Sequence, residues 1–214
     1  MKIAILGSGD VGQVLGAAFA TLGHEVRLGT RDPKAEKIQA WVKKAGAKAS
    51  AGTFDDAAKF GELAVLATKW DGTKSALDLA GPDNLAGKIL IDATNPLDFS
   101  KGMPQLAVGH TNSGGEEVQR WAPKAKVVKA FNIVGNPHMF KPAFKGVPAP
   151  DMFIAGNDAG AKKQVTEILT SFGWKTVDLG SIESARYLEP MAMAWITYGI
   201  TTKTFDHAFT FARK

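Results

Sequence analysis

Gly7, Gly9 and Gly12 stand in a G-x-G-x-x-G spacing, Gly7-Ser8-Gly9-Asp10-Val11-Gly12, six residues from the start of the 214-residue chain. Glycines at this spacing do three different jobs: the first permits a tight turn, the second lets backbone approach a ligand, and the third allows a helix to pack closely on a strand. The free N–H groups of residues 9–12 would then converge on an anion, helped by the positive end of a helix dipole. Lys2-Ile3-Ala4-Ile5-Leu6 before the glycines is a short apolar run suited to a buried strand. Val11, Val14, Leu15, Ala18, Phe19 and Leu22 after them recur at helical spacing, with Gly23 as a stop. A strand, a glycine turn and a helix in that order bind the pyrophosphate of a dinucleotide.

The next strand, Glu25 to Gly29, separates the two nicotinamide dinucleotides. An NAD site usually carries Asp or Glu about 20 residues beyond the glycines, where it accepts hydrogen bonds from the ribose. Here that position is Gly29 or Thr30, followed by Arg31, Asp32, Pro33 and Lys34. A hydroxyl, a guanidinium and an ammonium suit a 2′-phosphate, so NADP(H) is the expected cofactor. Asp32 comes late for a ribose ligand and is read as starting the turn at Pro33 or capping a helix that begins near Ala35.

Ligands of open parallel sheets lie beyond the carboxyl ends of the strands. At those ends fall Thr68-Lys69-Trp70, Thr94-Asn95-Pro96 and Asn132, which we take as a nicotinamide pocket; the competing reading makes Asn95-Pro96 a turn and Trp70 packing. Direct hydride transfer between stacked rings asks the protein for orientation, with no nucleophile and no metal, so no catalytic residue is assigned. There is no cysteine, and His24, His110, His138 and His207 are not at metal-ligand spacing. His110 and His138 are read as loop residues rather than acceptor contacts, and His24 as a surface-turn residue. Arg186 and Glu189, three apart, are expected to form a helix-surface ion pair or an anchor.

Positioning these groups requires an alternation of strands and helices. Strands are expected at 2–6, 25–29, 63–67, 88–92, 127–131, 152–155 and 176–179. Helices are marked by Ile38, Trp41, Val42 and Ala45, and by Val165, Ile168, Leu169 and Phe172. This pattern implies an α/β, Rossmann-type doubly wound, mainly parallel sheet. Pro137, Pro142, Pro148 and Pro150 make 133–150 a long surface loop. After Gly180 the chain turns helical, with Pro190 kinking one helix or opening another, and Met191 to Ile196 is read as mostly core with part at an interface. Residues 1–180 are thus expected to form the nucleotide domain and 181–214 a small C-terminal helical segment packed against it.

Composition sets the outer bounds. With 45% hydrophobic and 22% charged residues the chain can bury one sizeable core. A net charge of +5 is spread along the sequence without a basic run, which fits a polyphosphate cofactor and argues against nucleic acid. No apolar run is long enough to span a membrane and residues 1–6 do not look like a signal peptide, so a cytoplasmic protein without a membrane partner, possible as a homodimer, is expected.

The sequence resembles the NADP-dependent coenzyme F-420 (5-deazaflavin) oxidoreductases and the related cytosolic reductase domain of six-transmembrane ferric reductases. The resemblance rests on Ile3 to Gly9 with Val11-Gly12, on Leu22-Gly23-His24-Glu25-Val26, and on Gly29-Thr30-Arg31. It continues in Lys69-Trp70, Val128-Lys129-Ala130-Phe131-Asn132, and Arg186 with Glu189. It implies hydride exchange between NADP(H) and a small-molecule electron acceptor, coenzyme F-420, FMN or FAD. Gly7 to Gly12, with Ser8, Asp10 and Val11, would hold the pyrophosphate and Thr30, Arg31 and Lys34 the 2′-phosphate. Thr68, Lys69, Trp70, Asn95 and Asn132 would surround the nicotinamide. Deazaflavin-dependent members carry a His near Asn132 and a Pro near Lys69, so this chain departs from them on the acceptor side. Two other readings are a dehydrogenase of a small carbonyl or imine, which typically appends a large helical domain, and a non-catalytic NADPH sensor.

Overall fold

A computed structural model describes residues 1–146 and 149–212; Pro148 of the proline-rich segment therefore lies outside the described residues. In chain order the elements are β1 (Lys2–Leu6), α1 (Asp10–Thr21), β2 (Glu25–Gly29), α2 (Glu36–Ala45), β3 (Ala49–Gly52), α3 (Phe54–Phe60), β4 (Leu63–Leu66) and α4 (Trp70–Ala80). Then follow β5 (Ile89–Asp92), β6 (Leu97–Asp98), β7 (Gln105–Leu106), α5 (Gly114–Trp121), β8 (Lys126–Lys129), β9 (Asp151–Gly156), α6 (Ala159–Ser171), β10 (Lys175–Asp178) and α7 (Ala185–Thr202).

Among the described residues the main sheet runs β10-β9-β8-β5-β4-β1-β2-β3. Pairing is parallel from β3 across to β8, antiparallel between β8 and β9, and parallel again between β9 and β10. It is a Rossmann-type, mainly parallel sheet. Strand order reverses at β1, which has β2 on one side and β4 on the other, and such a switch point opens a crevice at the carboxyl ends.

Alternation along β1 shows why both faces are covered. Ile3 and Ile5 enter one apolar cluster with Leu15, Phe19 and Trp41, whereas Ala4 and Leu6 enter the other with Leu77 and Val118. Each fully buried Leu, Ile or Phe contributes about 1.5–3 kcal/mol relative to exposure, so the two layers clamp the strands firmly. Phe172 of the first cluster meets Phe19 edge-on at 4.9 Å, tying the end of α6 to α1.

Two local expectations need correction, and at Pro190 one of the two alternatives is selected. The segment 133–150 is not a surface loop throughout: Ile133, Val134 and Met139 are buried, and Trp174 Nε1 donates to the Met139 carbonyl at 2.9 Å. Pro137 lies in a short 3₁₀ turn at Asn136–His138, while Ile133, Val134 and Met139 join the core. The strand expected to reach Phe131 stops at Lys129, because Phe131 adopts φ 65°, a left-handed conformation that no strand accommodates. Pro190 lies inside the single helix α7.

The C-terminal segment packs on the rest. Beyond α7 the chain folds back: Trp195 Nε1 donates to the His207 carbonyl at 2.8 Å, and Asp151 N donates to the Phe209 carbonyl at 3.1 Å. Among the described residues no helix is long and apolar enough to cross a membrane.

Candidate functional site

The glycine turn lies at the switch point. Gly7 has φ 127°, and a Cβ there would collide with the Ala67 carbonyl just after β4. A Cβ on Gly12 would strike the Gly7 carbonyl oxygen, so α1 can approach β1 only with glycine at this position. Gly9 differs from both, since a Cβ there would meet nothing within 4 Å. No packing in the chain itself asks for glycine at residue 9, which leaves space for an external group. Gly9 is also the N-cap of α1, and no side chain caps that helix. Its first N–H groups and the positive dipole end therefore face that open space.

Two hydrogen bonds fix the turn. Ser8 Oγ donates to Thr30 Oγ1 at 3.1 Å, joining it to the end of β2, and Gln13 Nε2 donates to the Ser8 carbonyl at 3.0 Å. Thr30 is buried and its amide donates to the Gly52 carbonyl at 3.0 Å. Arg31 and Lys34 are exposed, and among the described residues neither makes an ion pair. Asp32 Oδ1 accepts from the Lys34 amide at 3.0 Å, forming the turn; α2 begins later, at Glu36, after Ala35. The two cations stand beside a buried hydroxyl with that carboxylate engaged by the backbone, a donor set suited to a phosphate monoester.

The other half of the edge is built from β4, β5 and β8. Thr68 Oγ1 and Thr73 Oγ1 are 2.9 Å apart, and Thr73 Oγ1 donates to the Lys69 carbonyl at 3.0 Å, which ties the first turn of α4 to the end of β4. The Lys69 side chain is exposed. Trp70 packs against Trp121, with ring centroids 5.4 Å apart, and a Cβ on Gly114 would stand 3.1 Å from its Cζ3. Its indole thus fills the space between α4 and α5.

Asn95 and Asn132 hold one another. Asn95 Nδ2 donates to the Asn132 carbonyl at 2.7 Å, and Asn132 Nδ2 donates to Asn95 Oδ1 at 3.1 Å and to the Leu188 carbonyl at 3.0 Å. The two main-chain carbonyls fix the orientation of both amides, since either flip would set oxygen against oxygen. Asn132 Oδ1 is left buried without a hydrogen-bond partner among the described residues. The left-handed Phe131 just before it turns the chain out of β8 and toward this pairing.

Beneath that pair lies a buried cluster that sequence reasoning missed. Lys129 Nζ, fully buried, sits 2.9 Å from Asp92 Oδ2 and 2.9 Å from Glu189 Oε1. Glu189 also accepts from Gly114 N at 2.8 Å and Gly115 N at 2.9 Å, capping α5, while Asp92 Oδ1 accepts from Thr94 N at 2.9 Å and Thr94 Oγ1 at 2.7 Å. Burial works against the ammonium, but the Asp92 and Glu189 carboxylates outweigh it and hold Lys129 above its ordinary pKa. The available signal was a lysine inside the otherwise apolar run Val127-Val128-Lys129-Ala130-Phe131. Arg186 and Glu189 do not pair on a helix surface. Glu189 turns inward as an anchor, and Arg186 pairs with Glu116 of α5.

Of the histidines, His138 Nε2 lies 3.0 Å from Asp206 Oδ1, His207 Nε2 lies 3.0 Å from the Trp195 carbonyl, and His110 is exposed. Among the described residues no group of three His, Cys, Asp or Glu side chains could hold a metal ion.

Comparison with known proteins places these features in a family context. Residues 2–96 match the family described as NADP oxidoreductase, coenzyme F420-dependent. The chain is 31% identical over 198 residues to the metalloreductase STEAP3 of Rattus norvegicus, covering 90% of this chain but 36% of the rat protein, so it spans about a third of that relative. It is 28% identical over 216 residues to the F420-dependent NADP reductase of Methanothermobacter marburgensis, covering 95% of this chain and 94% of that protein. A crystal structure from Arthrobacter sp. FB24, described as an F420-dependent NADP-reductase, superimposes over 100% of both chains with TM-score 0.94 and 42% identity. An imine reductase from Streptomyces aurantiacus, at 20% identity and TM-score 0.67, shares the fold over 94% of this chain and 64% of that one.

Proposed function

The chain belongs to the coenzyme F420-dependent NADP oxidoreductase family, and from that premise we propose that it passes hydride between NADP(H) and a deazaflavin or flavin acceptor. It is an NADP-dependent oxidoreductase. When bound, the nicotinamide supplies or receives the hydride, and the protein contributes binding, orientation and electrostatics.

The open backbone at Gly9 is the observation that carries this reading. Gly7 and Gly12 are required by the fold, whereas Gly9 is required by no contact among the described residues and stands at an uncapped helix N-terminus. A pyrophosphate satisfies that geometry. Ser8, Asp10 and Val11 complete the turn around it, and Thr30, Arg31 and Lys34 take the 2′-phosphate. On the far half, Thr68 and Lys69 border the nicotinamide. Asn95 and Asn132 form its floor, with Asn132 Oδ1 as an acceptor in need of a donor. Trp70 acts there by fixing α4 against α5 rather than by presenting its ring.

No covalent intermediate is needed, so residues that touch the rings serve to align them at contact distance and to exclude water. The deciding assay follows oxidation of NADPH, and separately NADH, with coenzyme F420, FMN, FAD or a ferric chelate as acceptor. NADPH oxidation with a deazaflavin or flavin is expected. Tight NADPH binding without turnover on any acceptor would replace this reading with a nucleotide sensor, and turnover only with added imines or carbonyls would replace the acceptor class.

A further inference from the structure

The Asp92, Lys129 and Glu189 cluster contains two carboxylates and one ammonium. Each recorded neighbour of a carboxylate oxygen in it is a hydrogen-bond donor: Lys129 Nζ, the amides of Gly114, Gly115 and Thr94, and the Thr94 hydroxyl. Two carboxylates built as acceptors around a single ammonium give the cluster one net negative charge. The positive end of the α5 dipole, worth about half a charge, offsets it only in part. All three side chains are buried, so solvent screens this charge weakly.

Its position is specific. Asp92 ends β5 and Lys129 ends β8, on the half of the carboxyl edge away from the β2 end where Arg31 stands. Glu189 follows Leu188, whose carbonyl holds Asn132. Asp92 and Lys129 each stand three residues before Asn95 and Asn132, and Glu189 one after the Leu188 that accepts from Asn132, so the charge adjoins that pair along three separate segments. Resting on the nicotinamide placement proposed above, we infer that this buried negative cluster tunes the site toward the oxidised nucleotide: it favours the positively charged nicotinamide of NADP+ over the neutral ring of NADPH. Loss of a hydride, one proton with two electrons, would turn the neutral ring into the cation while the acceptor takes up that hydride, proton and both electrons together. A fixed negative charge behind the ring thus makes NADPH a stronger donor on this protein. Asp92, Lys129 and Glu189 are positioning and field-setting residues that need not touch the rings.

The test is binding, independent of turnover. NADPH affinity is measured by its fluorescence and NADP+ affinity by competition, on the wild type and on Glu189→Gln and Asp92→Asn, each removing one negative charge from a different element. Removing one unit of buried charge near the ring should raise Kd for NADP+ by roughly threefold or more beyond any change in Kd for NADPH, in both variants. A general loss of structure would weaken both nucleotides equally, and equal changes overturn the inference. Should neither variant fold, the wild type decides. NADP+ is expected to bind more tightly than NADPH, with a ratio that stays constant as salt weakens both; preference for NADPH, or a ratio that salt abolishes, overturns it. Failure of the wild type to bind either nucleotide would instead sink the functional reading on which the inference rests.

Discussion

Arg186 of α7 grips Glu116 of α5 with two nitrogens, Nε standing 2.8 Å from Oε2, across 70 positions of sequence. Glu116 is also the acceptor for Ser113 Oγ at 2.7 Å, so the start of α5 is bound to α7 through this part-buried pair as well as through the buried Glu189. Arg186 is the main cause that holds the Glu116 carboxyl below its ordinary pKa; burial opposes it and Ser113 assists. The folded-state value lies below the unfolded one, so this contribution is fully present above about pH 4.5 and is lost as pH falls through the folded value. Glu116→Gln is expected to cost about 1–3 kcal/mol at neutral pH. The difference from wild type in denaturant melts should shrink as pH is lowered, and a constant difference would show that the ion pair is not its origin.

The glycine turn offers a separation of fold from binding. Gly12→Ala places a methyl group against the Gly7 carbonyl and should cost about 3 kcal/mol or more. Gly9→Ala meets open space and should leave thermal stability within about 0.5 kcal/mol while weakening NADPH at least about tenfold. Unchanged NADPH affinity in Gly9→Ala would move the pyrophosphate elsewhere.

Arg31 is exposed and unpaired among the described residues, so its removal should hardly affect folding. Arg31→Ala is expected to weaken NADPH by about tenfold or more and NADH by less than about threefold, as loss of a charge-assisted phosphate contact would. Equal losses for both nucleotides would remove Arg31 from the 2′-phosphate site.

Lys129→Met leaves two carboxylates buried together with no cation between them. The expected loss is about 3–5 kcal/mol in urea denaturation, far above that of a surface lysine. In the wild type Lys129 is held above its ordinary value of 10.5 by its two partners, so its contribution is complete below that pH and is lost as pH rises through the folded value. A variant as stable as the wild type would show that the cluster contributes nothing net.

The fold was legible where side chains are apolar and periodic. Lys2 to Gly12 yields strand, turn and helix from local pattern alone, and the order of the later strands follows from similar runs. β3 escaped notice because Ala49-Ser50-Ala51-Gly52 has no large apolar residue, and only pairing with β2 makes it a strand. Phe131 looked like the end of a strand because local propensity cannot report a backbone twist imposed by Asn132 and its partners. In the site, the glycine turn and the exposed cations near Thr30 were readable as local features of backbone and charge. Trp70 and Glu189 were not, since the first is claimed by Trp121 and the second by groups up to 75 positions away.

That distance bears on how the chain reaches its native state. Asp92, Lys129 and the α5 amides all precede Glu189 in synthesis, so a collapsed chain lacking a docked α7 holds an ammonium with one carboxylate partner and two amides still seeking an acceptor. Left buried without an acceptor, such groups would be costly, which makes the docking of α7 a condition for closing the β5 to β8 end of the sheet. Glu189 supplies both the second carboxylate to Lys129 and the acceptor for the two α5 amides, so the polar end of the crevice is complete only once the last helix is in place.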